Sequence, residues 1–259
     1  MKHVFWTGGW DSTFRVLYLL LELHETVQPH YIVDPSRKSK ERELSTMRQI
    51  RTETISKHPE TENRFLPLIV TDRDAVEPDE EITRYYRIFS RRTNTGSQYD
   101  WLCRYAKHFS GGPLELCLER SDYGNIFHAL DRCGDLVPVS EKDDHYFVLK
   151  EHISRPEFRI FHSVRFPIID RTKLDIAKLS EQYGFADLMD LTWFCHNPNP
   201  DGTPCGICHP CQQTREDGLD WRVPKLTFKM RIKMLRSEIA ASLGKILRRH
   251  KSRRSTECS

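Results

Sequence analysis

The sequence predicts an α/β protein: a parallel sheet with helices on both faces, then a four-cysteine knot and a basic helical tail. Three observations predict it. Short apolar runs alternate with segments of helical period, the pattern of βαβ units. The first apolar run breaks at Gly8-Gly9 and passes through Asp11-Ser12-Thr13 into a leucine-rich stretch. Near the other end, Cys195, Cys205, Cys208 and Cys211 lie among Gly and Pro residues.

Taken in order, residues 3–6 are expected as a short buried strand and residues 14–23 as a helix with a broad apolar face. Residues 31–33 follow as a second strand. Over residues 40–56, Leu44, Met47 and Ile50 recur at helical spacing with Glu and Arg on the outer face, which predicts a second helix. Residues 65–70 are expected as a third strand. Residues 99–109 read as a helix ending at Ser110-Gly-Gly-Pro, and residues 114–118 as the next strand. The stretch 146–166, rich in β-formers, is expected to add a hairpin. Strands separated by helices give a Rossmann-like parallel sheet, whose ligand sits at the carboxyl ends of the strands. The loop 7–13 falls there. The predicted boundaries are 1–190 for this domain, 191–221 for the cysteine segment and 222–259 for the extension.

A chain of 259 residues can bury a sizeable core. No run approaches the roughly 18 apolar residues that a membrane-spanning helix needs. The opening Met-Lys-His-Val-Phe-Trp carries no apolar signal region, so a cytoplasmic protein is expected. Charge is divided unevenly. Residues 222–259 hold 12 Lys/Arg against Glu238 and Glu257, a net of +10. The other residues hold 28 Lys/Arg against 35 Asp/Glu, a net of −7.

The loop 7–13 has the makings of an oxyanion cradle. Adjacent glycines allow a sharp turn and present bare N–H groups. The following helix N-terminus adds unpaired donors and partial positive charge. Thr7, Ser12 and Thr13 supply hydroxyls, and Trp10 lies between the glycines and Asp11. No lysine closes the loop, so it is not the Gly-x4-Gly-Lys-Ser/Thr nucleotide loop. The alternative is a plain strand-to-helix turn capped by Asp11 or Ser12.

The cysteines run Cys-x9-Cys-x2-Cys-x2-Cys. Four thiolates at that spacing suit a closed tetrahedral Zn²⁺ site. In a cytosolic chain such a cluster reads as metal-binding and not as disulfides. An iron–sulfur cluster is the other metal reading.

The loop resembles the pyrophosphate loop, Ser-Gly-Gly-x-Asp-Ser, of enzymes that split ATP between its α- and β-phosphates, with Thr7 in the first serine's place. Together with the C-terminal knot it resembles the 7-cyano-7-deazaguanine synthases of queuosine biosynthesis, members of the ATP pyrophosphatase superfamily. The matching residues are Lys173 in Asp-Arg-Thr-Lys, Thr192-Trp-Phe-Cys195, Cys205-Gly-Ile-Cys208-His-Pro-Cys211 and Arg215. The resemblance implies an ATP-dependent carbon–nitrogen ligase. Such an enzyme adenylates a 7-carboxy-7-deazaguanine-like carboxylate, releases pyrophosphate, and uses ammonia to make the amide and then the nitrile. It implies ATP, Mg²⁺ and Zn²⁺ as cofactors. Thr7, Gly8, Gly9, Trp10, Asp11, Ser12 and Thr13 would hold nucleotide phosphates, and Asp11, Ser12 and Lys173 would act in catalysis. Asp11 either faces the Mg²⁺ or caps its own helix. Asp34 is placed for ribose or adenine unless it only caps a turn, and Arg215 for nucleotide, substrate or cover of the knot.

The chain departs from the family at the substrate region. Asp34-Pro35-Ser36-Arg37 replaces the family's Tyr-Gly-Gln turn, and Thr95-Gly-Ser-Gln-Tyr-Asp100 stands where an Arg-Asn pair is usual. Asp122 and Tyr123 are the candidates for a guanine-like edge and a stacking ring. Two other readings follow: a ligase joining another carboxylate to an amine on a small molecule or protein, and a nucleic-acid-binding or scaffold protein with a non-catalytic nucleotide fold. A homodimer is one assembly open to the chain. In the tail, Leu226, Phe228, Met230 and Ile232 alternate with polar residues as in an edge strand. Beyond them Leu235, Ile239, Leu243, Ile246 and Leu247 take helical spacing opposite basic residues. That pattern fits RNA, an anionic membrane surface, an acidic partner, or docking on the chain's own acidic body.

Overall fold

The computed structural model describes residues 1–93, 95–121, 125–133 and 135–232. The chain divides into two compact units, Met1–Phe194 and Cys195 onward.

The first unit is an α/β domain. Strand β1 (Lys2–Phe5) leads into helix α1 (Trp10–Leu21), β2 (Val27–Val33) into α2 (Lys40–Lys57), and β3 (Ile69–Asp72) into α3 (Glu80–Thr93) and α4 (Gln98–His108). Then come β4 (Leu114–Glu115), α5 (Asn125–Cys133), the pair β5 (Leu136–Glu141) and β6 (Asp144–Leu149), β7 (Val164–Arg165), α6 (Lys173–Gln182) and α7 (Ala186–Asp190). Five strands form one parallel sheet in the order β3-β2-β1-β4-β7, while β5 and β6 form a separate antiparallel pair. Successive side chains of β1 enter opposite cores, as strand geometry requires. Val4 and Trp6 pack with Val16, Leu19, Met47 and Ile50 of α1 and α2. Phe5 packs with Ile82, Phe89, Trp101 and Cys103 of α3 and α4. Helices therefore cover both faces, as the sequence predicts.

Several boundaries differ from expectation for identifiable reasons. Strand β2 starts four residues earlier, through Pro29, and its ladder to β3 begins one residue later at His30. The third strand occupies Ile69–Asp72 and not 65–70. Pro67 cannot donate to a ladder, and Phe65 makes only an isolated bridge with Val27. Strand β4 stops after two residues. Helix α3 has no counterpart in the sequence reading: it buries only Ile82 and Phe89, and the Asp79 carboxylate accepts from the Ile82 N–H at 2.9 Å at its start. Helix α5 likewise has no counterpart among the sequence expectations. The hairpin lies at 136–149, not 146–166, and turns at Lys142-Asp143 with Lys142 at φ 56. That turn lacks the glycine or asparagine that marks such a hairpin in sequence. Residues 156–161 form a 3-10 turn instead.

A buried ion network fastens the hairpin to the sheet. The Arg15 guanidinium donates twice to Glu115, at 2.7 Å each, and to Asp144 at 2.9 Å, and Lys2 reaches Asp144 at 2.6 Å. Against the cost of burial, Glu115 and Asp144 raise the Arg15 pKa, and Arg15 and Lys2 hold Asp144 below the usual carboxylate range.

In the second unit, helix α8 (His209–Glu216) starts at Cys208. The edge strand expected near 226–232 is absent: residues 228–232 are helical. Thr227 starts that turn, its Oγ1 accepting from Met230 N and its carbonyl from Arg231 N. The helical tail expected beyond Ile232 lies outside the described residues. Among the described residues no helix is long and apolar enough to cross a membrane.

Candidate functional site

The link between β1 and α1 is short and closely braced. Gly8 has φ +69, a left-handed conformation that favours glycine. A Cβ there would lie 3.1 Å from both Met47 Cγ and Thr46 Cγ2 of α2. Gly9 is the N-cap of α1, in extended conformation and with no side-chain cap. Its carbonyl accepts from Thr13 N at 3.1 Å, and the Gly8 carbonyl accepts from Trp193 N at 3.0 Å. The Thr7 N–H reaches Ser12 Oγ at 3.5 Å. As a glycine, the N-cap residue brings no side chain of its own to the first turn of α1.

That N-terminus opens onto a cavity of about 350 Å³, within the range of small-molecule sites. Its walls come from the carboxyl ends of three strands and the starts of two helices. Phe5 ends β1, Trp6, Thr7 and Gly9 follow it, and Asp11 and Ser12 open α1; Asp34 and Arg37 follow β2; Leu116–Leu118 follow β4; Ser97 and Gln98 open α4. Strand order reverses between β1 and β4, so the cavity occupies the switch point where open α/β sheets hold ligands. Gly8, Trp10, Thr13 and Lys173 are not among the described lining residues. Thr13 is fully buried, and its hydroxyl accepts from Trp6 Nε1 at 2.9 Å. Trp10 is also buried.

The titratable groups of the wall divide into inert and available ones. His30 is held between His3 Nδ1 at 3.0 Å and the Tyr105 hydroxyl at 2.9 Å. Burial, reinforced by His3, lowers its pKa to about 4. It is neutral near neutral pH. Burial raises the Cys117 thiol well above its ordinary value, which removes it as a nucleophile. Glu43, on α2, accepts from Tyr31 at 2.8 Å and Ser39 at 2.7 Å and braces the end of β2. Asp34 lines the cavity and also caps its turn, accepting from Ser36 N at 3.0 Å and Ser36 Oγ at 2.7 Å. The Ser36 hydroxyl, with Arg73 at 2.8 Å, holds its carboxyl below the ordinary value. The sequence reading missed Arg73, Gln98 and Trp101, none of which has a spacing signal. Lys173, first residue of α6, pairs with Glu119 just past β4 at 3.3 Å. Asp122 and Tyr123 lie outside the described residues.

The second unit contains the four predicted cysteines as one cluster, with all four sulfurs within 4.8 Å of one another. Sulfur separations are 3.8 Å for Cys195–Cys208, 3.9 Å for Cys205–Cys211 and 3.4 Å for Cys208–Cys211. A Zn–S bond of about 2.3 Å gives tetrahedral edges of about 3.8 Å. One ion fits; an iron–sulfur cluster would hold the thiolates further apart. The N–H groups of Cys205 and Cys208 donate to Cys195 Sγ and Cys205 Sγ, orienting the sulfurs. None of the four forms a disulfide. The cluster could therefore hold a metal ion such as zinc. Arg215 donates to the Gly206 carbonyl at 3.3 Å and the Pro224 carbonyl at 3.0 Å, tying the cysteine loop to the chain beyond it.

Fold and site together define an α/β protein with a glycine turn at its switch-point cavity and a four-cysteine cluster that could hold a metal ion. Residues 153–221 match the family described as "Queuosine biosynthesis protein QueC", a span that includes Lys173, all four clustered cysteines and Arg215. The 7-cyano-7-deazaguanine synthase of Syntrophus aciditrophicus (strain SB) is 42% identical over 57 residues, 20% of this chain and 22% of that one. That of Rhizorhabdus wittichii is 34% identical over 50 residues, 19% and 21%. The chain is thus similar to 7-cyano-7-deazaguanine synthases, and it spans about a fifth of the length of these curated relatives.

Proposed function

We propose that the chain is an ATP-dependent ligase of the 7-cyano-7-deazaguanine synthase type. ATP occupies the switch-point cavity with its polyphosphate against Thr7, Gly9 and Ser12. A 7-carboxy-7-deazaguanine-like carboxylate attacks the α-phosphate, forming the acyl–phosphate bond while the α–β bond breaks and pyrophosphate leaves. Ammonia then displaces AMP to give the amide. A second adenylation of the amide oxygen permits its loss, with the nitrogen's protons, as the nitrile forms.

The chain's contribution is positioning and charge stabilisation. The start of α1, whose N-cap Gly9 has no side chain to stand in the way, faces the anion with its helix N-terminus, and the Ser12 hydroxyl lies in the same turn. Asp11 and Asp34 are cavity carboxylates of the kind Mg²⁺ takes; the ion's part is to offset polyphosphate charge. Zinc in the cysteine cluster is structural, since four thiolates close its shell. The observation that carries the reading is the coincidence of this cradle with a switch-point cavity in a chain whose residues 153–221 match the queuosine synthase family. A second reading, adenylation of a different carboxylate, is favoured by the Asp34–Ser36 turn on the cavity wall, with Arg73 clamped to it.

Substrate-stimulated ATP–pyrophosphate exchange tests the site. Asp11→Ala and Ser12→Ala are each expected to lower it about 10²–10³-fold with an unchanged far-UV spectrum. Near-normal exchange in both variants would reduce the loop to a turn.

A further inference from the structure

The peptide joining Gly8 to Gly9 is oriented by a residue distant in sequence. The Gly8 carbonyl accepts from the Trp193 N–H at 3.0 Å. No peptide bond among the described residues is cis, and in a trans peptide the C=O and the following N–H point in opposite directions. Gly8 is off the cavity wall and Gly9 is on it. Trp193 is also off the described wall, and a carbonyl held by it leaves the Gly9 N–H on the opposite side of the peptide. Gly8, at φ +69, is the residue about which this peptide plane could otherwise flip, because glycine tolerates both orientations.

Trp193 is itself held in place. It is 8% exposed, its carbonyl lies 3.8 Å from where a Gly9 Cβ would stand, and the Arg42 guanidinium covers its ring at 4.3 Å. Arg42 is on α2, the helix whose Thr46 and Met47 would meet a Cβ at Gly8. The loop peptide thus has both α2 and the chain at residue 193 beside it.

We infer that Trp193, through its backbone N–H, is a positioning residue that fixes the loop peptide with the Gly9 N–H aimed at a ligand phosphate. The inference rests on the proposed ATP site and specifies what makes that loop anion-selective. An unanchored peptide could present the Gly8 carbonyl instead, an acceptor that repels phosphate.

The test removes this donor in two ways. Trp193→Pro deletes the N–H, and replacement of Trp193 by its α-hydroxy analogue, which puts an ester in place of that amide, does so with the indole retained. Affinities for inorganic pyrophosphate and for adenosine are measured by calorimetry on the full chain. Wild type is expected to bind both. The variant is expected to bind pyrophosphate about 10–100-fold more weakly, the usual consequence of losing one charge-assisted hydrogen bond, with adenosine affinity unchanged. A purely structural role would weaken both ligands together, and that result overturns the inference, as does unchanged pyrophosphate affinity. If Trp193→Pro fails to fold, the ester variant decides. Wild-type protein that binds neither ligand would overturn the proposed ATP site itself, an outcome distinct from a variant that matches wild type.

Discussion

Replacing Gly8 by alanine puts a methyl group where the loop has neither the backbone angle nor the space for it. At φ +69 an L-residue loses about 1–2 kcal/mol. The new Cβ would sit 3.1 Å from Met47 Cγ and Thr46 Cγ2, inside the 3.5–4.0 Å optimum for carbon contacts. Met47 is 1% exposed and Thr46 3%, so neither has solvent to move into. Overpacking of that kind costs about 1–3 kcal/mol. The narrower unfolded ensemble of alanine returns about 0.4–1 kcal/mol. The net is about 3 kcal/mol, or a fall of about 6–12 °C in Tm for a domain of this size. Gly9→Ala is the matched comparison. Gly9 has φ −79, and its added Cβ would meet Thr7 Oγ1 at 3.3 Å, the end of an exposed side chain that can rotate away. It is expected to stay within about 1 kcal/mol of wild type. Urea unfolding followed by circular dichroism measures both. Equal losses in the two variants, or a Gly8→Ala midpoint at the wild-type value, would refute the reasoning.

Two further outcomes concern pH and metal. The His30 pKa is lowered by burial from 6.5 to about 4, so the unfolded chain takes up this proton before the folded one does. The stability present above pH 6.5 is lost as pH falls toward 4, on the order of 3 kcal/mol. His30→Gln should flatten that part of the profile, and an equally flat wild-type urea midpoint from pH 6.5 to 4.5 would contradict it. Purified protein should carry close to one zinc per chain, and cobalt substitution should give the intense visible bands of tetrahedral thiolate coordination. Because such binding is folding energy, Cys208→Ala should lose both metal and solubility; elemental analysis without zinc would remove the site.

The alternation of apolar runs and helical segments was enough to foresee the parallel sheet, because its strands end in short apolar runs, Val4-Phe5 in β1 and Tyr31-Ile32-Val33 in β2. The cysteine spacing foresaw the cluster because all four sulfurs come from one short loop and the start of α8. What sequence hid was set by tertiary contacts. Helix α3 shows only Ile82 and Phe89 to the core, too few for a clear period. The hairpin at 136–149 turns on Lys142, a residue with no turn signature. Within the loop, Thr13 looks like a third hydroxyl for a ligand, yet Trp6 takes it into the core. Asp34, read as either ligand or cap, closes the Ser36 turn with one carboxylate oxygen and also lines the cavity. The Trp193 anchor could not be read at all, since a backbone N–H leaves no trace in residue type.

The bond of ATP that breaks is the most direct test of the central claim. Purified protein, Mg-ATP, ammonia and 7-carboxy-7-deazaguanine are incubated and the products resolved by phosphorus NMR. The account predicts AMP and pyrophosphate in equal amounts, dependent on the carboxylate and slowed about 10²–10³-fold by Asp11→Ala. ADP with free phosphate would contradict it.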